Sequence, residues 1–192
     1  MPNENPPLPP KLQAVLLRLA AGAEHLNMTR AVKLPYLVDV VATRVLGRRI
    51  TEGTHQAWEK GVVTSEVWHY LDKQGEDSPI LRVEPIPWSE EKKVVAVAEE
   101  HPEALTPEEA RIVDFVVDQF SGIQAGDLGR MTKFMNPDIQ SWGNNHAADL
   151  GIDAFDRMSE EYQEMAREAA SYTLDRLRQT STLLHDVEDA VA

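Results

Sequence analysis

The stretch from Lys33 to Leu71, KLPYLVDVVATRVLGRRITEGTHQAWEKGVVTSEVWHYL, restricts the fold more than any other part of the chain. Two glycine-bearing turns divide it into a helix, a short extended segment and a second helix. Leu34, Leu37, Val38, Val41, Val45 and Leu46 recur at three and four spacings, which sets them on one helical face. Gly47 stands where a helix C-terminus wants a residue able to take positive φ, and Arg44, Arg48 and Arg49 suit the negative end of the helix dipole. Thr54 to Trp58 offers polar and aromatic residues over a strand's length, and Gly61 turns the chain. Thr64 is then placed to N-cap a helix carrying Val67, Trp68 and Leu71.

The segments on either side follow the same local rules. The proline-rich first ten residues read as a flexible leader. Leu12, Val15, Leu16 and Leu19 mark an amphipathic helix ending near Gly22. Thr29 is the expected N-cap of the helix that runs to Leu46. Pro35 inside that helix removes a backbone donor and predicts a kink. The helix after Ser65 ends in a polar cluster before Pro79, and Ile80 to Ile86 and Lys92 to Val97 are strand candidates. Thr106-Pro107-Glu108-Glu109 is the sharpest local signal: a capping threonine, a proline at the first helical position, and a glutamate able to reach back. The helix it opens buries Ile112, Val113, Val116, Val117 and Phe120. A shorter one from Gln124 to Lys133 presents Leu128 and Met131, and Trp142 to Asn145 reads as a loop. Asp153 opens a long last helix whose stripe of Phe155, Met158, Tyr162, Met165, Ala169 and Tyr172 suits helix pairing. The expected fold is α+β and mainly α-helical, with about six helices, a small two- to three-stranded sheet and a long C-terminal helix. Residues 1–10 form the leader, 11–165 the domain and 166–192 a helical extension.

Charge and composition narrow the function classes. With 42% apolar and 27% charged residues the chain is globular in composition. No apolar run spans a bilayer and the leader lacks the parts of a signal peptide, so a cytoplasmic protein without membrane contact is expected. Zero cysteines exclude disulfides, thiol nucleophiles and thiolate metal sites. The net charge of −13 is uneven: residues 1–60 carry 8 Lys/Arg against 5 Asp/Glu, the remainder 11 against 27. An acidic body disfavours nucleic acid and favours a basic protein partner by steering. The one basic patch, Arg44, Arg48 and Arg49 with Arg30 and Lys33, reads as dipole complementation on a solvated face.

No motif assembles an acid, a base and an electrophile stabiliser. There is no HExxH, no nucleophile elbow and no glycine-rich phosphate loop. His146, Asp149, Asp153 and Asp156 have a spacing that could hold a cation, but the last two are explained as a helix start. Neither a metal nor a cofactor is expected. Asp39 within an apolar helix needs a partner, which a hydroxyl from Tyr36 or an indole from Trp58 would supply. Trp58, Trp68, Trp88 and Trp142 suit core or lid positions, and an exposed one would count as an interface residue.

The order of residues resembles the Panacea domain, the SocA-like antitoxin family found among phage-associated proteins. The resemblance is carried by Lys33, Leu34, Tyr36, Leu37 and Asp39, then Gly47, Arg48, Ile50, Thr51 and Gly53. Ala57 and Trp58 follow, with Gly61, Val63 and Ser65 at the turn, and Leu128, Thr132 and Trp142 as a second block. Val62 stands where the family pattern has proline, and Lys133 where it has histidine. The resemblance implies a mostly helical, non-enzymatic domain that neutralises a cognate toxin by direct contact. One branch of the family acts instead as an adaptor that delivers its toxin to a protease, and a metal-dependent enzyme using His146 is the third reading. Tyr36, Asp39, Trp58, Gly61, Ser65 and Trp142 are the candidate partner-binding residues. The C-terminal helix is expected to extend contacts to the partner or to a second copy.

Overall fold

The computed structural model describes residues 8–74, 78–87, 89–99, 101, 104–136, 139, 142–143 and 146–148. The sequence readings for the leader through residue 7, for Trp88, for Asp149, Asp153 and Asp156, and for the last helix with the 166–192 extension lie outside these residues. Among the described residues there are five helices: α1 (Pro10–Gly22), α2 (Met28–Leu46), α3 (Ser65–Gln74), α4 (Pro107–Phe120) and α5 (Ala125–Phe134). Five strands join them: β1 (His55–Trp58), β2 (Gly61–Thr64), β3 (Leu81–Pro85), β4 (Lys92–Ala96) and β5 (His146–Ala147). The chain is thus mainly helical α+β.

The strands form two sheets where one was expected. One has the order β2-β1-β5, antiparallel throughout, and the other is the β3–β4 hairpin. β5, just after the loop read over Trp142 to Asn145, was not anticipated, because two residues carry no alternation for a sequence pattern to show. β4 is tied to the α1–α2 connection by a hydrogen bond from Val94 N to Leu26 O of 2.7 Å.

α2 is the hub. It packs against α1, α3, α4, α5, β2 and β4, and every residue from Ala31 to Ala42 is buried. The apolar spacing pointed to a one-sided helix, but a helix enclosed on all sides is a core helix. Its N-cap is Asn27, which accepts from Arg30 N at 2.9 Å, in place of the expected Thr29. It continues through Pro35 and ends at Gly47 in the left-handed conformation, φ 66°. The leader also ends earlier than expected: Leu8 is buried, Pro9 is the N-cap of α1, and Pro10 is its first residue, where the missing donor does no harm.

α4 begins with the full reciprocal capping box of Thr106 and Glu109. Glu109 does more than cap. It is fully buried, its carboxylate accepts from Arg48 Nη1 at 2.7 Å and from the Lys11 ammonium, and it takes the Thr106 backbone N–H at 2.9 Å. Burial alone would raise its pKa; the hydrogen bonds from Lys11, Thr106 and Arg48 outweigh that and hold it below the usual value. One carboxylate therefore joins α1, α4 and the segment after α2. The basic patch is paired as well as solvated: Arg48 and Arg49 stay exposed, yet Arg48 donates to Glu109, Arg49 to Asp39, and Arg30 to the carbonyls of Ile123 and His25.

Glu109→Ala should lower the unfolding free energy by about 2 kcal/mol, since Lys11 and Arg48 regain water while Thr106 N loses its acceptor. Urea unfolding of the two proteins checks this; equal midpoints would mean that Glu109 carries no net stabilisation.

Candidate functional site

Three polar side chains on the enclosed helix α2 have to find partners in the interior, and each finds a different one. Lys33 donates to Val62 O of β2 at 2.8 Å. Tyr36 Oη accepts from Asn136 Nδ2 just beyond α5 at 2.9 Å, and its ring meets the His55 imidazole edge-on at 5.5 Å. Asp39 gathers the loop that returns after Gly47. Its Oδ1 accepts from Ile50 N and Thr51 N, both at 2.8 Å. Its Oδ2 accepts from Thr51 Oγ1 at 2.5 Å and Arg49 Nε at 3.1 Å, and lies 2.9 Å from His55 Nε2. The expected partners of Asp39, Trp58 and Tyr36, are thus replaced by the 49–55 loop.

Burial would push the Asp39 pKa up, but the bonds from His55 and Thr51 prevail and hold it at about 2, below its usual 3.8. Lys33 has no such compensation. Burial, then the charge of Lys133, lowers its pKa from 10.5 to about 8. His55 Nδ1 lies 3.0 Å from Thr64 Oγ1, which completes a hydroxyl–imidazole–carboxylate chain of the type used in nucleophilic catalysis. Thr64 and Asp39 have no exposed surface and His55 is buried, so the chain is closed to substrate and serves to lock β1, β2 and α2 together.

The β1–β2 turn rests on α5 through two glycines. Gly61 has φ 99°, and a Cβ there would come within 2.6 Å of both Gly129 O and Thr132 Oγ1. A Cβ at Gly129 would likewise meet Lys60 O at 2.6 Å. Only two residues without side chains permit this approach. Thr132 Oγ1 accepts from Val62 N at 3.1 Å and donates to Gly129 O at 3.0 Å. The Val62 N–H thus makes a bond that a proline at this position could not make. Lys33 and Thr132 thus take up both the carbonyl and the N–H of Val62, closing the outer edge of β2 against further strand pairing.

What this scaffold presents outward is a groove. Trp58, at the end of β1, and Trp68, on α3, meet edge-on at 5.4 Å and are both half-buried. With Met28, Val32, Lys33, Glu59, Lys60 and Val63 they line a space of about 440 Å³. A cleft of about 310 Å³ adjoins it through Thr29, Glu59 and Lys60 and is lined further by Arg130 and Lys133. Lys133 lies over the Trp142 ring, 5.2 Å from its centroid, a cation–π contact.

The wired residues begin at Lys33 and end at Asn136, and the family model of the SocA-like antitoxin, Panacea domain, matches residues 32–136, just over half of the chain. The chain belongs to this family. No curated protein and no solved structure matches it. Membership in the Panacea family points to a role connected with toxin–antitoxin systems, and to a non-enzymatic one. Among the described residues, no group of three or more His, Asp or Glu is placed to hold a metal, and no helix is long and apolar enough to cross a membrane.

The candidate residues separate by depth. Tyr36 and Asp39 lie wholly inside; Ser65 is buried and donates to Thr54 O at 3.2 Å, holding the base of the hairpin to α3. Gly61 seats the turn. Trp58 lines the groove, and Trp142 flanks the adjoining cleft through Lys133. Trp68, Lys33 and Lys60 belong with them. The sign of the groove was available in Trp58 and Trp68, placed on either side of a glycine turn, which is the spacing that brings a strand end and the following helix face together.

Asp39→Asn should cost about 3 kcal/mol at neutral pH, because a buried network built on a carboxylate loses its charge. The folded-state pKa of Asp39 is depressed, so its stabilisation is present above pH 3.8 and is lost as pH falls toward 2. The variant should lack that share of the acid slope, as measured by urea unfolding across the same range.

Lys33 has the same sign of pH dependence in a higher window, although here it is the charged form that burial disfavours. Its folded-state pKa lies below its unfolded one, so the unfolded chain holds a proton that the folded chain has released between pH 8 and 10.5. Stability therefore rises with pH across that window, by up to about 3 kcal/mol. Lys33→Met should abolish this component. Wild type and variant that keep the same difference in unfolding free energy at both ends of the window would show that Lys33 is not the titrating group.

Proposed function

We propose that this chain is a cytoplasmic antitoxin that neutralises a cognate toxin by direct protein–protein contact. The observation that carries the reading is the coincidence of the family match with the wired scaffold, whose outward product is a groove between two half-buried tryptophans. Tryptophan in a preformed concavity is the usual anchor of a protein interface. In this reading Trp58, the Gly61 turn and Trp142 bear on the toxin, while Tyr36, Asp39 and Ser65 act from within by fixing the surface that carries them. The acidic body, with a net charge of −13, steers a toxin that is basic overall. Residues 166–192 extend the contact to the toxin or to a second copy.

The test is genetic and biochemical. A small gene neighbouring that of this chain should arrest growth when expressed alone and be harmless when this chain is co-expressed, and the two proteins should co-purify. A chain ending at Glu168 should protect less well. Absence of rescue with every neighbouring gene would overturn the antitoxin reading; unchanged affinity and oligomeric state after truncation would overturn only the role of the extension.

A further inference from the structure

The groove departs in charge from the molecule that carries it. The chain has 32 Asp/Glu against 19 Lys/Arg. Yet the groove and its adjoining cleft are lined by Lys33, Lys60, Arg130 and Lys133, with Glu59 as the acidic residue among the lining. Arg130 is paired with Asp127. Lys60 is exposed and Lys133 half-buried. Lys33 is buried at the groove wall; of the three donors an ammonium carries, the one described bond goes to Val62 O. A buried cation with donors in hand, at the wall of an apolar groove, is a place where an incoming carboxylate replaces lost hydration.

We infer that the groove between Trp58 and Trp68 receives an acidic segment of the partner protein, with an apolar side chain seated against the indoles and its flanking carboxylates held by Lys33, Lys60 and Lys133. The inference rests on the toxin-binding reading and refines it. Attraction at long range is set by the whole charge and favours a basic partner. Contact at the groove is set by local charge and selects one acidic stretch on that partner. The two requirements are met by a toxin that is basic overall and presents an acidic segment around an apolar residue. Such a segment would also be steered away from the rest of this surface, which confines it to one docking position.

The first experiment uses the full chain and two synthetic peptides. One carries a leucine–phenylalanine pair flanked by glutamates; the other has lysines in place of the glutamates. The glutamate peptide should shift the indole N–H signals of Trp58 and Trp68 in ¹⁵N-resolved spectra, and its binding should weaken as salt is raised. The lysine peptide should leave both signals in place. The double variant Lys60→Glu/Lys133→Glu, shown by its thermal melt to be folded, should weaken the glutamate peptide about tenfold; Lys60→Gln should give a smaller loss in the same direction. Equal shifts by both peptides, or none by either, overturns the inference. The second experiment keeps the two readings apart. If wild type protects against the toxic neighbour and the double variant protects equally well, the groove assignment falls and the antitoxin reading stands. If wild type does not protect, the antitoxin reading itself falls.

Discussion

A helix surrounded on every side leaves its polar residues no route to water, and α2 carries three of them in seven positions. Lys33, Tyr36 and Asp39 are spaced so that they point away from the axis in different directions, and each must end on a hydrogen-bonding group of another element. An unpaired polar group there would cost more than the bond itself contributes. The consequence is that the neighbours of α2 cannot be placed independently. Lys33 fixes β2, Tyr36 fixes the end of α5 through Asn136, and Asp39 fixes the loop that leads into β1. Apolar packing would bring these elements together, but it is not directional, and these three contacts choose the arrangement.

Asp39 illustrates how a buried charge can stabilise. Its carboxylate accepts two backbone N–H groups, one hydroxyl and one guanidinium, and faces one imidazole, so its lone pairs are filled. That saturation reverses the effect of burial on its pKa. Lys33, with one described bond to a carbonyl, shows the other outcome, and burial prevails. The same helix therefore holds one ion that the fold stabilises and another that it strains. The strained one is at the groove, where a partner can relieve it.

The parts of this architecture that depend on near neighbours were legible in the sequence. The capping box at Thr106, the left-handed Gly47, the turn at Gly61, the extended segments near 81–85 and 92–96 and the approximate limits of α4 and α5 all follow from a few adjacent residues. What was not legible depends on partners far along the chain. The spacing of Leu34, Leu37, Val38 and Val41 is the same whether a helix is covered on one side or on all, and only the packing of α3, α5 and β2 onto its other faces decides. Asn27 and Thr29 both suit an N-cap, and the hydrogen bond to Arg30 N selects the former. The pairing of Arg48 was not legible because its acceptor, Glu109, lies about sixty residues on and shows locally only as a capping residue. Two-residue β5 exists by pairing with Gln56 and Ala57 alone. For the site, the sequence showed that Asp39 needed a partner, but not that the 49–55 loop supplies it or that Trp58 meets Trp68.

The hairpin turn connects scaffold to surface. Gly61 and Gly129 bring the backbone of the turn into contact with α5, and Trp58, Glu59 and Lys60 are the residues just before that contact. Their positions are therefore fixed from beneath, by Lys33 and Thr132 on Val62 and by Asn136 on Tyr36. A side chain added at Gly61 would lift the turn from α5 and disturb the seating of Trp58 against Trp68. A change confined to the groove rim, such as one at Lys60, would leave the scaffold intact and alter only the charge that a partner meets. Val62 and Lys133 divide along the same line. The first makes a backbone bond that secures the hairpin; the second sets a cation beside Trp142, at the cleft that adjoins the groove.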